Sequence, residues 1–179
     1  MMTSSRRNAP DSQLQCSTME KAMQLTHFTD YSLRVLMYLG LQEDRLVTIS
    51  EIAKVFNISH NHLVKVVNYL ATEGFVQTVR GKAGGMMLAK DPAEIRIGEV
   101  VRSTEASFDL VECFNPATQN CCIISGCALR HLLKDAMNQF FEVLDRATLK
   151  DLLAQREFYS SALKLAPTEE ILQGGLKRG

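Results

Sequence analysis

From Thr26 onward the apolar residues recur at helical spacing. In THFTDYSLRVLMYLGL, Phe28, Leu33, Leu36, Met37 and Leu41 fall near one face of a 3.6-residue repeat. Thr29 or Asp30 reads as the start signal, because a side-chain oxygen there can accept an N–H group that the first turn leaves without a partner. The next block, VTISEIAKVFNISHNHLVKVVNYLATEGF, divides in two. Thr48 followed by Glu51 forms a capping box ahead of a short helix ending near Phe56. After a break at Asn57-Ile58, Ser59 can cap a third helix whose Leu63, Val66, Val67 and Leu70 share a face, and Gly74 stands where a C-terminal cap is expected. Two short helices joined by a tight turn predict a helix-turn-helix, with the second helix free to enter a major groove.

Beyond Gly74 the period changes. FVQTV alternates as a strand does, RGKAGG supplies a turn with three glycines and two cations, and MMLAK returns as a second strand. Three helices and a hairpin predict a winged helix. Asp91-Pro92 interrupts the pattern, and IRIGEVVRSTE reads as a strand end running into a connecting helix. From Ala106 to Gly126 no period is evident, and a structureless stretch of about twenty residues is unusual in a compact protein unless a ligand or metal orders it.

CALRHLLKDAMNQFFEVLDRA then predicts a long helix, with Leu129, Leu133, Ala136, Phe140, Leu144 and Ala147 on one face and Leu132, Met137 and Val143 widening it. That stripe is broader than a small winged helix can cover, which predicts packing against a second copy of the chain ahead of the alternative, a core helix folded back on its own winged helix. The expected fold class is mainly α with a small β-hairpin wing: a winged helix-turn-helix plus a long C-terminal dimerisation helix. Its expected organisation is a disordered extension over 1–22, a DNA-binding winged helix over 23–90, and a connecting helix with a cysteine-rich cluster-binding loop over 91–128. The dimerisation helix then covers 129–147, and a short helix with a flexible tail covers 148–179.

Composition changes this picture little. The chain has 179 residues, 46% of them hydrophobic, and no run nears the ~18 apolar residues of a membrane span. The opening residues lack the apolar core of a secretory signal, so a cytoplasmic protein without membrane contact is expected. The formal net charge is zero, but residues 23–90 carry seven Lys/Arg against five Asp/Glu, and residues 91–179 carry ten against thirteen. The basic first half permits a nucleic-acid face. Asn61, His62 and Lys65 lie early on the third helix, where Asn can read adenine and Lys can reach guanine or phosphate. Arg80 and Lys82 on the wing are candidates for phosphate or minor-groove contact, and Thr48 or Ser50 for donation to phosphate at a helix start.

Candidate chemistry is concentrated in ECFNPATQNCCIISGC, residues 112–127, which holds four of the five cysteines. In a reducing compartment such clustering points to metal binding or redox chemistry rather than to structural bridges. The spacing is not that of two paired zinc knuckles. Adjacent Cys121 and Cys122 point in different directions, which makes one of them a spectator. Taking Cys121 gives C-x7-C-x5-C, three soft donors suited to an iron-sulfur cluster with a fourth ligand from elsewhere. Structural zinc and a thiol switch stay open on spacing alone, although Asp109 and Glu112 make the loop acidic, which disfavours a bare reactive thiolate. No nucleotide loop, nucleophile-base pair or second cluster motif is present, so an enzyme or electron carrier is not expected.

Four blocks in fixed order, MQLTHFTDYSLRVLMYL, ISEIAKVFNISHNHLVKVVNYL, VRGKAGGMMLAK and LVECFNPATQNCCIISGCALRHLL, resemble the NsrR-like nitric-oxide-responsive repressors, within the wider winged-helix family that includes IscR. The similarity covers residues 23 to about 153. It implies a homodimer that represses transcription from a double-stranded DNA operator and carries one cluster per subunit. The cluster is implied to be held by Cys113, Cys121 and Cys127 with Asp30 of the partner subunit as fourth ligand. It also implies a 4Fe-4S cluster, with 2Fe-2S as the alternative, whose nitrosylation by nitric oxide releases DNA. Arg34, one turn after Asp30, matches a family arginine that can pair with that acid and relay the change. IscR-like proteins use a histidine three residues after the last cysteine; here that place is Arg130, with His131 one later, which favours the NsrR type. Cys122 is an extra thiol, so the middle ligand is Cys121 or Cys122. The alternatives are an iron-sulfur-status or redox regulator of the same family and a zinc- or thiol-switched winged-helix regulator.

Overall fold

Thr26, rather than Thr29 or Asp30, opens the first helix. In the computed structural model, which describes residues 24–42 and 45–165, α1 spans His27–Leu41, and the Thr26 hydroxyl accepts the N–H of Thr29 at 3.3 Å. Thr29 is buried inside the first turn, and Asp30 sits there as the acid that favours a helix N-terminus. The face turned inward is Val35, Leu36, Tyr38 and Leu39, with Phe28, Leu33 and Met37 half-buried at its margins. The disordered extension expected over 1–22, Cys16 and the tail beyond residue 165 lie outside the described residues.

α2 spans Ile49–Phe56, and Thr48 caps it by accepting the N–H of Glu51 at 3.2 Å. The Glu51 carboxylate is drawn chiefly to Arg45 and to the Tyr38 hydroxyl, 2.7 Å away. Asn57, at φ 53°, adopts the left-handed conformation that closes the turn. α3 spans His60–Thr72 and buries Leu63, Val66, Val67 and Leu70, as the spacing predicts; Ser59 holds the N-cap position without a side-chain capping bond. Gly74 follows at φ +73°, a conformation that disfavours any Cβ.

Strands β1 (Val76–Val79) and β2 (Gly85–Leu88) pair antiparallel, with Val76 opposite Leu88. Val47 exchanges both backbone hydrogen bonds with Met86, at 2.9 and 2.8 Å, so the wing is stitched to the entry of α2. A Cβ on Gly85 would stand 2.8 Å from the Val47 carbonyl oxygen, which is why a glycine begins β2.

α4 spans Ile97–Thr104, α5 Ala128–Arg146, α6 Leu149–Leu152 and α7 Arg156–Ala162. The expected strand end before α4 is a single bridge between Arg96 and Thr148, flanked by Ile97 N–H to Ala147 O at 3.0 Å and Leu149 N–H to Ile95 O at 2.8 Å. A reciprocal capping box between Thr148 and Asp151 starts α6 at once. Leu149 and Leu153 are thereby buried in the same core as α1, α3 and α4. Where the sequence predicts one short helix after Thr148, the described residues have two.

The stretch from 106 to 126 is not structureless. It carries 3-10 turns at Glu112–Phe114 and Ile124–Gly126, and Phe108 lies edge-on to Phe141 of α5 at 4.7 Å. α5 rests on α4 through Arg102, which donates to both oxygens of Asp145 at 2.6 and 2.7 Å and covers the Phe141 ring. Its other face is open, with Leu129, Leu132 and Val143 each 60–65% exposed. Among the described residues no helix is long and apolar enough to cross a membrane.

Candidate nucleic-acid interface and cysteine loop

The polar residues of α3 stand out from the core because the aliphatic face fixes the rotation of the helix. With Leu63, Val66, Val67 and Leu70 turned inward, Asn61, His62 and Lys65 are left exposed on its first turn and a half. Arg80 and Lys82 project from the turn between β1 and β2, also exposed, where Gly84 N–H bonds Gly81 O at 3.0 Å. Thr48 and Ser50 are exposed at the start of α2, one residue and three residues beyond the Val47 bridge to the wing. The Thr48 oxygen accepts from the helix, but its hydroxyl proton remains available to an acceptor outside. Backbone pairing thus brings the start of α2 together with the wing, and the shared core brings α3 together with both.

His62 is less detached than the sequence suggests. Its ring lies 6.3 Å from that of Tyr31 on α1, which in turn stacks on His27 at 5.7 Å. Seven residues along α3, Tyr69 meets Phe28 edge-on at 5.4 Å and donates its hydroxyl to the Ser103 carbonyl at the end of α4. A cleft of about 280 Å³ lies between the helices, lined by His27, Phe28, Tyr31, His62, Lys65 and Val66. Sequence reasoning missed these contacts; their signal is the aromatic pair at 28 and 31 on a helix whose core face is otherwise mostly aliphatic.

Asp30 and Arg34 are brought together. Each is about 40% exposed, and the guanidinium lies 5.9 Å over the Phe56 ring at the end of α2. Arg34 therefore touches both the acid at the head of α1 and the first helix of the helix-turn-helix.

The tightest electrostatic cluster is elsewhere, where Arg45 and Glu51 pair beside Tyr38. Arg45 hydrogen bonds hold the Glu51 carboxyl below the usual carboxylate range against some opposing burial. Burial first, and then the hydrogen bond to Glu51 and its charge, push the Tyr38 hydroxyl up to about 12. This network joins α1 to α2 and so helps to hold the helix-turn-helix in place.

The cysteines are spread along the loop. Cys113 is half-buried in the first 3-10 turn, and its carbonyl accepts Arg130 Nε at 3.4 Å. Cys121 and Cys122 are exposed, and Cys127 is half-buried at the N-cap position of α5. None of the four is in a disulfide. Among the described residues no three of His, Cys, Asp and Glu gather as a metal-binding group. A metal would therefore have to draw the loop closed. The donor chemistry nevertheless fits a soft metal centre, because four thiols, one more than a three-thiolate site needs, belong to one short loop and no disulfide competes for them. His131 is exposed on α5, one residue beyond Arg130.

The family described as "Iron-dependent Transcriptional regulator", Rrf2, matches residues 25–155 of the chain. The HTH-type transcriptional regulator NsrR of Halalkalibacterium halodurans is 47% identical over 146 residues, covering 81% of this chain and 100% of that protein. The protein of the same name from Bacillus subtilis is 47% identical over 145 residues, covering 80% and 99% respectively. Among solved structures, T. potens IscR superposes with a TM-score of 0.61 at 21% identity, over 84% of this chain and 97% of that one, a likeness of fold.

Proposed function

Because the chain belongs to the Rrf2 family of transcriptional regulators, we propose that it is a homodimeric DNA-binding repressor that senses nitric oxide through an iron-sulfur cluster. The observation that carries this reading is the placement of Asp30. Its half-exposed carboxylate stands at the head of the helix that packs on α3 and that reaches α2 through Arg34. Cys113, Cys127 and either Cys121 or Cys122 would hold the cluster, with Asp30 of the partner subunit as the fourth ligand. When bound, the cluster would supply an iron open to a small diatomic at its oxygen-ligated corner, since carboxylate suits cluster iron less well than thiolate.

The rest of the mechanism belongs to the chain's own residues. An Asp30 oxygen that donated to a metal would bind Arg34 less strongly, because the same carboxylate charge would serve both, and the guanidinium could then shift against Phe56. Asn61, His62 and Lys65 on α3 read base edges, Arg80 and Lys82 hold phosphate or the minor groove, and Thr48 and Ser50 donate to phosphate. The open face of α5 is covered by the same face of a second copy, with Leu129, Leu132 and Ala136 at the three-and-four spacing of a helix seam and Val143 two turns further on. Pairing fixes the separation of the two α3 helices. Half-sites on DNA must lie a helical turn or a multiple of it apart, so a small change in that separation weakens specific binding.

In this reading residues 23–90 form the DNA-binding unit, 91–128 the connecting helix and cluster loop, 129–147 the dimerisation helix, and α6 closes the core of the DNA-binding unit. The work is done in the cytoplasm, where the DNA is. A single preparation tests the whole: protein purified without oxygen should contain iron and sulfide, absorb in the visible, and lose both colour and operator binding on addition of nitric oxide. A colourless protein holding stoichiometric zinc and binding its operator undisturbed by nitric oxide would end this reading in favour of a zinc- or thiol-based regulator.

A further inference from the structure

We propose that Tyr31 is a positioning residue that sets the tilt of α3 through His62, with the Tyr69 hydroxyl bond to Ser103 of α4 as the pivot. The inference rests on the reading of Asp30 as a metal ligand only for its signal, not for its geometry. Phe28, Asp30 and Tyr31 all belong to the first turn and a half of α1. Asp30 is therefore flanked on its own helix by the two aromatic residues that touch α3.

The two contacts are unequal. Tyr69 is held twice, edge-on by Phe28 at 5.4 Å and through its hydroxyl bond to Ser103 on α4. Among the ring contacts of the described residues His62 meets Tyr31 alone, at 6.3 Å and a 31° tilt. Between them run seven residues of helix, roughly 10 Å at 1.5 Å per residue. A displacement of the first turn of α1 then swings the N-terminal end of α3 about Tyr69. The cleft of about 280 Å³ between Tyr31 and His62 gives the rings room to move without meeting the core. Leu63, Val66, Val67 and Leu70 stay seated in the core, so the movement is confined to a small tilt of the exposed N-terminal end.

The swinging end carries Asn61, His62 and Lys65. A tilt of about 6° over that ~10 Å lever moves the end by about 1 Å. Hydrogen bonds to base edges hold only over roughly 2.7–3.2 Å, so this shift is enough to lose them. Tyr31 thus converts a local event at Asp30 into a change at the residues that read DNA, by the orientation of one ring.

The test compares wild type, Tyr31→Phe, Tyr31→Leu and Asp30→Ala as full chains. Operator affinity is measured for protein loaded without oxygen, before and after nitric oxide, and His62 ring resonances are followed by NMR in metal-free and loaded protein. Tyr31→Phe keeps the ring and should behave as wild type. Tyr31→Leu should keep the visible absorption, shift the His62 resonances of the metal-free protein, and reduce the nitric-oxide effect on affinity to below about 2-fold, from the 5- to 150-fold range of ordinary coupling. An unaltered nitric-oxide response in Tyr31→Leu with the cluster intact would overturn the inference. If Tyr31→Leu does not fold, wild type decides: His62 resonances that stay put between loaded and nitric-oxide-treated protein overturn it equally. Should Asp30→Ala assemble the same cluster with the same response, the ligand assignment fails instead, and the Tyr31 inference is judged on the metal-free resonances and operator affinity of Tyr31→Leu.

Discussion

Arg34 grips both oxygens of Asp30, with Nε 3.0 Å from Oδ1 and the terminal nitrogen 2.8 Å from Oδ2. The two residues stand one helical turn apart, so the pairing is built into α1 and does not depend on the rest of the fold. Exposed i,i+4 pairs stabilise a helix by only about 0.3–0.5 kcal/mol. A large functional effect of breaking this pair could not be ascribed to unfolding.

That contrast gives the first prediction. Arg34→Ala should leave the thermal midpoint nearly unchanged while lowering the ratio of operator affinities without and with nitric oxide by roughly 5-fold or more, the lower end of usual coupling. Fluorescence anisotropy on a labelled operator, beside a melting curve, measures both. A fall in the midpoint that accounts for the whole change would remove Arg34 from the relay.

The exposed residues of α3 and the wing should separate by salt dependence. Asn61→Ala is expected to cost about 1–3 kcal/mol at its cognate base and to relax sequence preference there. Arg80→Ala and Lys82→Ala should weaken all sequences alike and reduce the slope of log affinity against log salt by about one each. Equal salt slopes for all three variants would mean that the wing does not touch phosphate.

Covering the open face of α5 predicts a dimer whose disruption is local. Leu132 is 65% exposed in the single chain, so Leu132→Glu has little to disturb within it. Wild type should sediment as a dimer and Leu132→Glu as a monomer with the same helical content by circular dichroism. Identical sedimentation of the two proteins counts against this seam.

The Arg45–Glu51–Tyr38 cluster makes stability depend on pH at both extremes. Glu51 has its carboxyl pKa depressed in the fold. The stability it contributes is present above its unfolded value, near 4.5, and is lost as pH falls through the folded value. Tyr38 is raised from 10.0 to about 12, so its contribution is full below pH 10 and fades as pH rises toward about 12. Absorbance near 295 nm, the usual phenolate signal, should show one tyrosine ionising late. Glu51→Gln should move that ionisation downward and flatten the acid limb of the stability curve, because the negative charge beside the phenol is gone. An unmoved late ionisation in Glu51→Gln would assign it to burial alone.

Much of the architecture could be read along the chain because its determinants are local. The buried face of α3, the turn at Asn57, the glycine after α3 and the change from helical to alternating period each depend on neighbours a few residues away. The same locality made the candidate DNA residues legible, since the inward aliphatic positions leave Asn61, His62 and Lys65 outward. The start of α1 was misplaced by one turn because Thr26 and Thr29 are both acceptable caps. Only the burial of Thr29 against the rest of the core decides between them. The loop from 106 to 126 gave no period, because 3-10 turns and a single aromatic contact to Phe141 leave no repeating trace.

Residue order alone is enough for the set of elements, their succession, and the chemical types offered at each surface: thiols in one loop, an acid and an arginine one turn apart, cations on a wing. Which of these touch is a property of the folded chain. The pairing of Tyr31 with His62, of Arg34 with Phe56, of Arg96 with Thr148 and of Arg102 with Asp145 depends on the crossing geometry of whole helices. That geometry is fixed by how all the buried side chains fill a common interior, and no stretch of sequence encodes it alone.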